Sequence, residues 1–181
     1  MPQETSPVSF KANVGRLPAK GMPVIIEADV KQRESLAAIH GLVSVERYRA
    51  ELLVTPWKRN GVKVSGFVKA EITQACVVTL DPIAAHIRAT VGGLFLPEDS
   101  KLARQGFNSP GEIVLDADGP DSPETFSGDT IDVGALAEEF FGLGIDPYPR
   151  KADAAIQIPG EADGAPDGPL QQKLRELSSK S

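Results

Sequence analysis

From Val62 to Leu80 the even positions Val62, Val64, Gly66, Val68, Ala70, Ile72, Cys76, Val78 and Leu80 are apolar or small, with Gln74 intervening. A period of two residues belongs to a strand with one buried face. This stretch predicts the spine of a sheet. The pattern stops at Asp81-Pro82, because proline lacks an amide donor and moves the preceding residue out of the helical region.

Upstream, Met22 to Val30 is a compact β-branched run that predicts a strand. The period then changes. Leu36, Ala37, Ile39 and Leu42 predict a short helix starting near Lys31, with Gly41 as a left-handed cap and His40 as a solvated residue in the last turn. Residues 43–55 predict a second strand whose buried face is Tyr48, Ala50, Leu52 and Val54. A three-residue loop, Arg59-Asn60-Gly61 with Gly61 left-handed, would set Val54 opposite Gly66, Leu52 opposite Val68 and Ala50 opposite Ala70. Apolar then meets apolar.

Residues 83–96 alternate loosely and predict a further strand, bent or bulged at Gly92-Gly93. A loop over 97–110, a short strand over 111–118 and a mobile acidic loop at about 117–128 follow. Val133, Leu136, Ala137, Phe140 and Phe141 have the i, i+3, i+4, i+7, i+8 spacing of an amphipathic helix. Asp129, Thr130 or Asp132 can cap its start and Gly142 or Gly144 its end, and the helix should cover the even face of the sheet. Residues 1–21 predict an irregular lead-in anchored by Phe10, with room for a short edge strand. The fold class is therefore α+β: a single domain over 1–151, built as an antiparallel β-sheet or partly closed barrel with two short-to-medium helices packed on it. A disordered C-terminal tail is expected over 152–181, whose LQQKLREL stretch can form a transient turn or two of helix.

The net charge of −6 conceals segregation. Residues 1–104 hold 14 Lys+Arg and 10 Asp+Glu, whereas residues 105–149 hold no basic residue and 10 acidic ones. A mildly basic sheet suits phosphate, and an acidic segment suits a basic protein. The single cysteine excludes an internal disulfide framework and points to a reducing compartment. No window approaches the ~20 apolar residues needed to span a bilayer. A cytoplasmic protein without a membrane partner is expected.

The hairpin tip carries Trp57, Lys58, Arg59 and nearby Lys63, and Arg47, Arg49 and Lys69 fall on the odd, exposed face of its strands. An aromatic ring among cations can stack on a base and neutralise phosphates. The same residues would also serve simply to solvate a sheet face. Asp116, Asp118, Asp121 and Glu124 form the acidic cluster, a candidate surface for a basic partner that lacks the spacing of a calcium loop. Motifs for phosphate loops, zinc hydrolases, serine hydrolases and dithiol sites are absent. Cys76 on the apolar face is expected to be an inert packing group. No catalytic residue, metal or cofactor is expected.

The segment QACVVTLDP (Gln74 to Pro82), followed about fifty residues later by IDVGALAEEFFGLGIDPYPRK (Ile131 to Lys151), resembles the YceD family of large ribosomal RNA subunit accumulation proteins, in its alphaproteobacterial form. The resemblance covers residues 10 to about 155. It implies a bacterial cytoplasmic protein that supports synthesis or accumulation of large-subunit ribosomal RNA, with no enzymatic activity. Many members carry Cys-x-x-Cys where this chain has Cys76-Val77-Val78-Thr79, so a metal or redox role of that pair does not carry over. The expected function is a non-enzymatic ribosome-biogenesis factor that binds large-subunit rRNA or its precursor, or a basic ribosomal protein. The alternative is a small metal-dependent or thiol-dependent regulatory enzyme using the acidic loop or Cys76.

Overall fold

The computed structural model describes residues 5–98, 100 and 123–152, apart from the side chain of Arg59. In chain order the elements are β1 (Lys11–Asn13), β2 (Met22–Glu27), α1 (Val30–Ile39), β3 (Ser44–Trp57), β4 (Gly61–Ala75), β5 (Pro82–Pro97), β6 (Glu124–Phe126), β7 (Thr130–Asp132) and α2 (Val133–Leu143). Strands β2 to β6 form a five-stranded sheet in that order, antiparallel except for the parallel β5–β6 pair. Strands β1 and β7 form a separate antiparallel ladder. The α+β architecture with two helices on a mostly antiparallel sheet is the one expected. All but the last two described residues belong to the compact unit Met1–Arg150.

The even face of β4 is the buried one. Val64, Val68 and, just past the strand's end, Cys76 are wholly buried, with Val62, Ala70 and Ile72 close behind. Gln74 breaks the apolar pattern because its amide donates to the Asp146 carbonyl at 2.8 Å, tying the segment after α2 to the sheet. The strand ends earlier than expected. Cys76 to Asp81 is a turn closed by the Cys76 amide on the Asp81 carbonyl at 2.8 Å. Leu80, expected on the buried face, sits at φ 61° and is 77% exposed.

The β3–β4 turn has the expected length but lies one residue earlier. Lys58–Asn60 forms a single 3-10 turn, Trp57 pairs with Gly61, and Leu52 lies opposite Gly66 and Ala50 opposite Val68. Asn60 takes the left-handed conformation (φ 60°), which its short polar side chain tolerates. Gly61 is extended instead, and a Cβ there would stand 2.9 Å from Leu96 Cδ2. Gly66 is required by close approach: its Cβ would fall 2.1 Å from the Glu51 carbonyl oxygen. No bulge occurs at Gly92-Gly93, where the ladder continues in register. A Cβ on Gly93 would come within 3.0 Å of Leu136, so the missing side chain makes room for α2.

Helix α1 begins in a capping box, with the Asp29 carboxylate accepting from the Gln32 amide and the Gln32 side chain accepting from the Asp29 amide. It ends as expected at Gly41 (φ 64°), with the Leu42 amide on the Ala37 carbonyl at 2.9 Å. His40 is not solvated. Its ring stands edge-on to Phe141, centroids 5.1 Å apart, and its Nε2 lies 3.2 Å from Glu138.

Helix α2 packs over β4 and β5, as its stripe requires. Phe141 is wholly buried and meets the Tyr48 ring edge-on at 5.4 Å, whereas Phe140 is only half-buried. Burial pushes the Tyr48 phenol up, helped by the Glu138 charge, and leaves its hydroxyl without a hydrogen-bond partner among the described residues. Asp132 is the N-cap and Gly144, in right-handed conformation, the C-cap. In the lead-in, Val8 and Ala12 are buried and Phe10 is 42% exposed, so Val8 is the anchor. Residues 124–126, placed by sequence in a mobile loop, are strand β6. The expected strand over 111–118 and the tail beyond residue 152 lie outside the described residues. Among the described residues, no helix is long and apolar enough to cross a membrane.

Candidate nucleic-acid interface

The odd positions of β3 and β4 and the even positions of β5 point away from α2 and form the open face of the sheet. The register puts Glu27, Arg49, Lys69 and Arg88 opposite one another across four strands. The next row is Arg47, Glu71 and His86. Three cations in one row is a costly choice for a solvated face, since like charges directly opposite destabilise a sheet.

The cost is offset unevenly. Arg49 is paired with Glu27 and, through its Nε at 2.8 Å, with Glu51. The hydrogen bond that Arg49 donates to the Glu51 carboxylate raises the arginine's pKa further, against desolvation. Arg47 lies 3.7 Å from Glu71, both well exposed, where such pairs contribute little. Lys69 and Arg88 have no carboxylate partner among the described residues. Instead both lean over Phe67, with Lys69 Nζ 4.7 Å and Arg88 Cζ 5.6 Å from the ring centroid. Cation–π contacts at exposed sites are worth ~0.5–1 kcal/mol each.

Arg47, Arg49, Lys69, Glu71, His86 and Arg88 line a groove of about 880 Å³. Arg33, also in its lining, donates to the Glu46 carbonyl. The Glu46 carboxyl is held below its ordinary value by the Ser44 hydroxyl first, against partial desolvation, with a further hydrogen bond from Thr73. The groove is thus an open trough in which Arg33, Arg47, Arg49, Lys69 and Arg88 alternate with Glu27, Glu46, Glu51 and Glu71, and the Phe67 ring lies beside it under Lys69 and Arg88.

Seven residues were expected to bind RNA, and the structure divides them. Arg47, Arg49 and Lys69 lie in the groove. Trp57, Lys58 and Lys63 lie at the hairpin tip, with the lysines exposed and the indole half-buried. Arg59 is in the tip turn, and its side chain lies outside the described residues. Trp57 is eight residues from Arg49 along β3, about 26 Å at strand rise, so one face carries two separate cationic zones. Between them run Leu53, Ser65 and Gly92 in a single uncharged row.

Sequence reasoning missed Phe67, His86 and Arg88. The Phe67/Lys69 spacing of two residues was visible, but Arg88 joins the row only through the β4–β5 register. That register depends on a six-residue turn, Cys76 to Asp81, which the continued alternation concealed.

Compared with known proteins, the chain matches no family model, no curated protein and no solved structure.

Of the acidic cluster, Asp116, Asp118 and Asp121 lie outside the described residues. Glu124 is on β6, where partial burial, and then the charge of Glu139, raise its pKa. No three His, Cys, Asp or Glu side chains converge to hold a metal ion among the described residues. Cys76 is wholly buried, which keeps a thiol from an incoming reagent or substrate.

Proposed function

We propose that this protein is a non-enzymatic ribosome-biogenesis factor that binds large-subunit ribosomal RNA or its precursor through the open face of the sheet. The observation that carries this reading is the Arg49–Lys69–Arg88 row. Lys69 and Arg88 stand opposite each other, both over the ring of Phe67, with no carboxylate to neutralise them among the described residues. Such a row lowers fold stability slightly and gains most when phosphate occupies it. A base stacked on Phe67 would complete the contact. The likeness of residues 74–82 and 131–151 to the YceD family supplies the cellular context.

The biochemical test is fluorescence anisotropy with a large-subunit rRNA fragment across a salt series. Each lost phosphate contact should reduce the salt slope by about 0.7 for single strands. Lys69→Glu/Arg88→Glu should weaken binding strongly and flatten the slope; an unchanged affinity and slope would remove this face from the site. The cellular test is the ratio of large- to small-subunit rRNA after depletion of the protein. A selective loss of the large-subunit species supports the reading, and an unchanged ratio overturns its biological half.

A further inference from the structure

A second cavity, of about 530 Å³, opens at the hairpin tip where Trp57 and Asn60 meet Arg16, Leu17, Phe126 and Asp129. Its walls are of two kinds. Trp57, Leu17 and Phe126 supply flat apolar surface, and Trp57 is half-buried while its indole N–H has no hydrogen-bond partner in the described structure. Arg16, Asn60 and Asp129 supply polar groups around that surface.

The carboxylate is placed by the backbone beneath it. The Val14 amide donates to the Asp129 carbonyl at 2.7 Å, extending the β1–β7 ladder by one step. Gly128 turns the chain at φ 77° immediately before it. The side chain then lies against Gly15, so close that a Cβ there would be 3.2 Å from Asp129 Cγ. Arg16 and Asp129 share the cavity, yet no ion pair joins them. Both side chains are exposed, so each is open to a ligand that enters the cavity.

Ring stacking on Trp57 tolerates any base, so the polar groups decide which base is favoured. A carboxylate offers two acceptor oxygens and no donor. Guanine alone among the four RNA bases presents two adjacent donors, N1–H and N2–H₂, on its Watson–Crick edge. Adenine and cytosine each set a donor beside an acceptor, and uracil sets one N–H between two carbonyls that the carboxylate repels. Arginine is in turn the side chain suited to guanine O6 and N7. Exposed Lys58 follows Trp57 in the chain and exposed Lys63 lies two positions past its cross-strand partner Gly61, so the tip outside the cavity carries charge suited to a phosphate.

We propose that this cavity binds one unpaired guanine nucleotide, with the base stacked on Trp57 and its Watson–Crick edge on Asp129. The proposal deepens the RNA-binding reading and rests on it for its biological meaning: the sheet face holds backbone nonspecifically, and the tip reads a splayed base in a single-stranded segment.

Trp57 is the only tryptophan in the chain, so its fluorescence reports the cavity directly. The full-length protein is titrated with guanosine, adenosine, cytidine and uridine 5′-monophosphates in turn. Saturable quenching with a preference for the guanine nucleotide of about tenfold or more is expected, in line with one bidentate contact. Asp129→Asn should abolish the preference while leaving quenching by stacking. Lys69→Glu/Arg88→Glu should leave the mononucleotide titration unchanged while weakening rRNA-fragment binding. Equal quenching by all four nucleotides would overturn the guanine assignment, and no quenching would overturn the pocket itself. Failure of the sheet-face reading appears separately, as rRNA binding indifferent to Lys69 and Arg88.

Discussion

Lys69 on β4 and Arg88 on β5 face each other directly across the sheet, and both lie over the ring of Phe67. Two cations at opposed positions repel, and a cross-strand charge pair of either sign is worth roughly 0.2–1 kcal/mol. Reversing one of them should therefore separate stability from function. Arg88→Glu is expected to leave the urea midpoint close to unchanged, because the opposite pair it creates with Lys69 offsets the lost contact with Phe67, and at the same time to weaken rRNA-fragment binding. A variant that loses both would mean that Arg88 holds the sheet together instead of serving the open face.

The β3–β4 hairpin depends on the absence of a side chain at Gly66. A Cβ there would lie 2.1 Å from the Glu51 carbonyl oxygen and 2.8 Å from Leu52 Cα, both backbone atoms that cannot swing aside. Gly66→Ala should destabilise by about 2 kcal/mol or more, at the upper end of overpacking costs. Thermal or urea unfolding checks it. A near-neutral result would show that the two strands are further apart in solution than this contact requires.

Much of the fold was legible because the alternation of β4 and the stripe of α2 each have one physical meaning. The hairpin register was harder. Loops at 58–60 and 59–61 both keep even positions opposite even positions, so hydrophobicity cannot choose between them, and the tolerance of Asn60 for left-handed backbone decided it. His40 looked solvated because nothing nearby in sequence could pack on it. Its partners, Glu138 and Phe141, come from a helix about a hundred residues later. The open-face row was only half legible for the same reason: Arg49 and Lys69 follow from one hairpin, but Arg88 needs the next turn.

The helix stripe contains two phenylalanines that the sequence alone could not rank. Phe141 is wholly buried between Tyr48 and His40, and Phe140 is half-buried. Phe141→Ala should cost about 3–5 kcal/mol, and Phe140→Ala distinctly less. Paired urea denaturation curves with equal m-values make the comparison direct. Equal losses would mean that α2 is rotated relative to this packing.

Asp132 gives the fold a pH dependence whose sign can be stated in advance. Burial acts on its carboxyl most strongly and raises the pKa. The Ser9 hydroxyl and the amides of Ala135, Phe10 and Gly134 together outweigh that effect and leave the pKa below the ordinary value. An acid with a depressed folded pKa adds stability that is fully present above its unfolded pKa and is lost as pH falls through the folded one. The unfolded value is ~3.9, so the contribution should be complete at neutral pH and fade below about pH 4. Asp132→Asn isolates the charge, since asparagine remains a good N-cap but gives up the favourable negative charge at the helix N-terminus. The stability gap between the two proteins should be constant near neutrality and close as the pH falls through the acid range. A gap that persists unchanged at pH 3 would show that the carboxylate acts there through hydrogen-bond geometry alone.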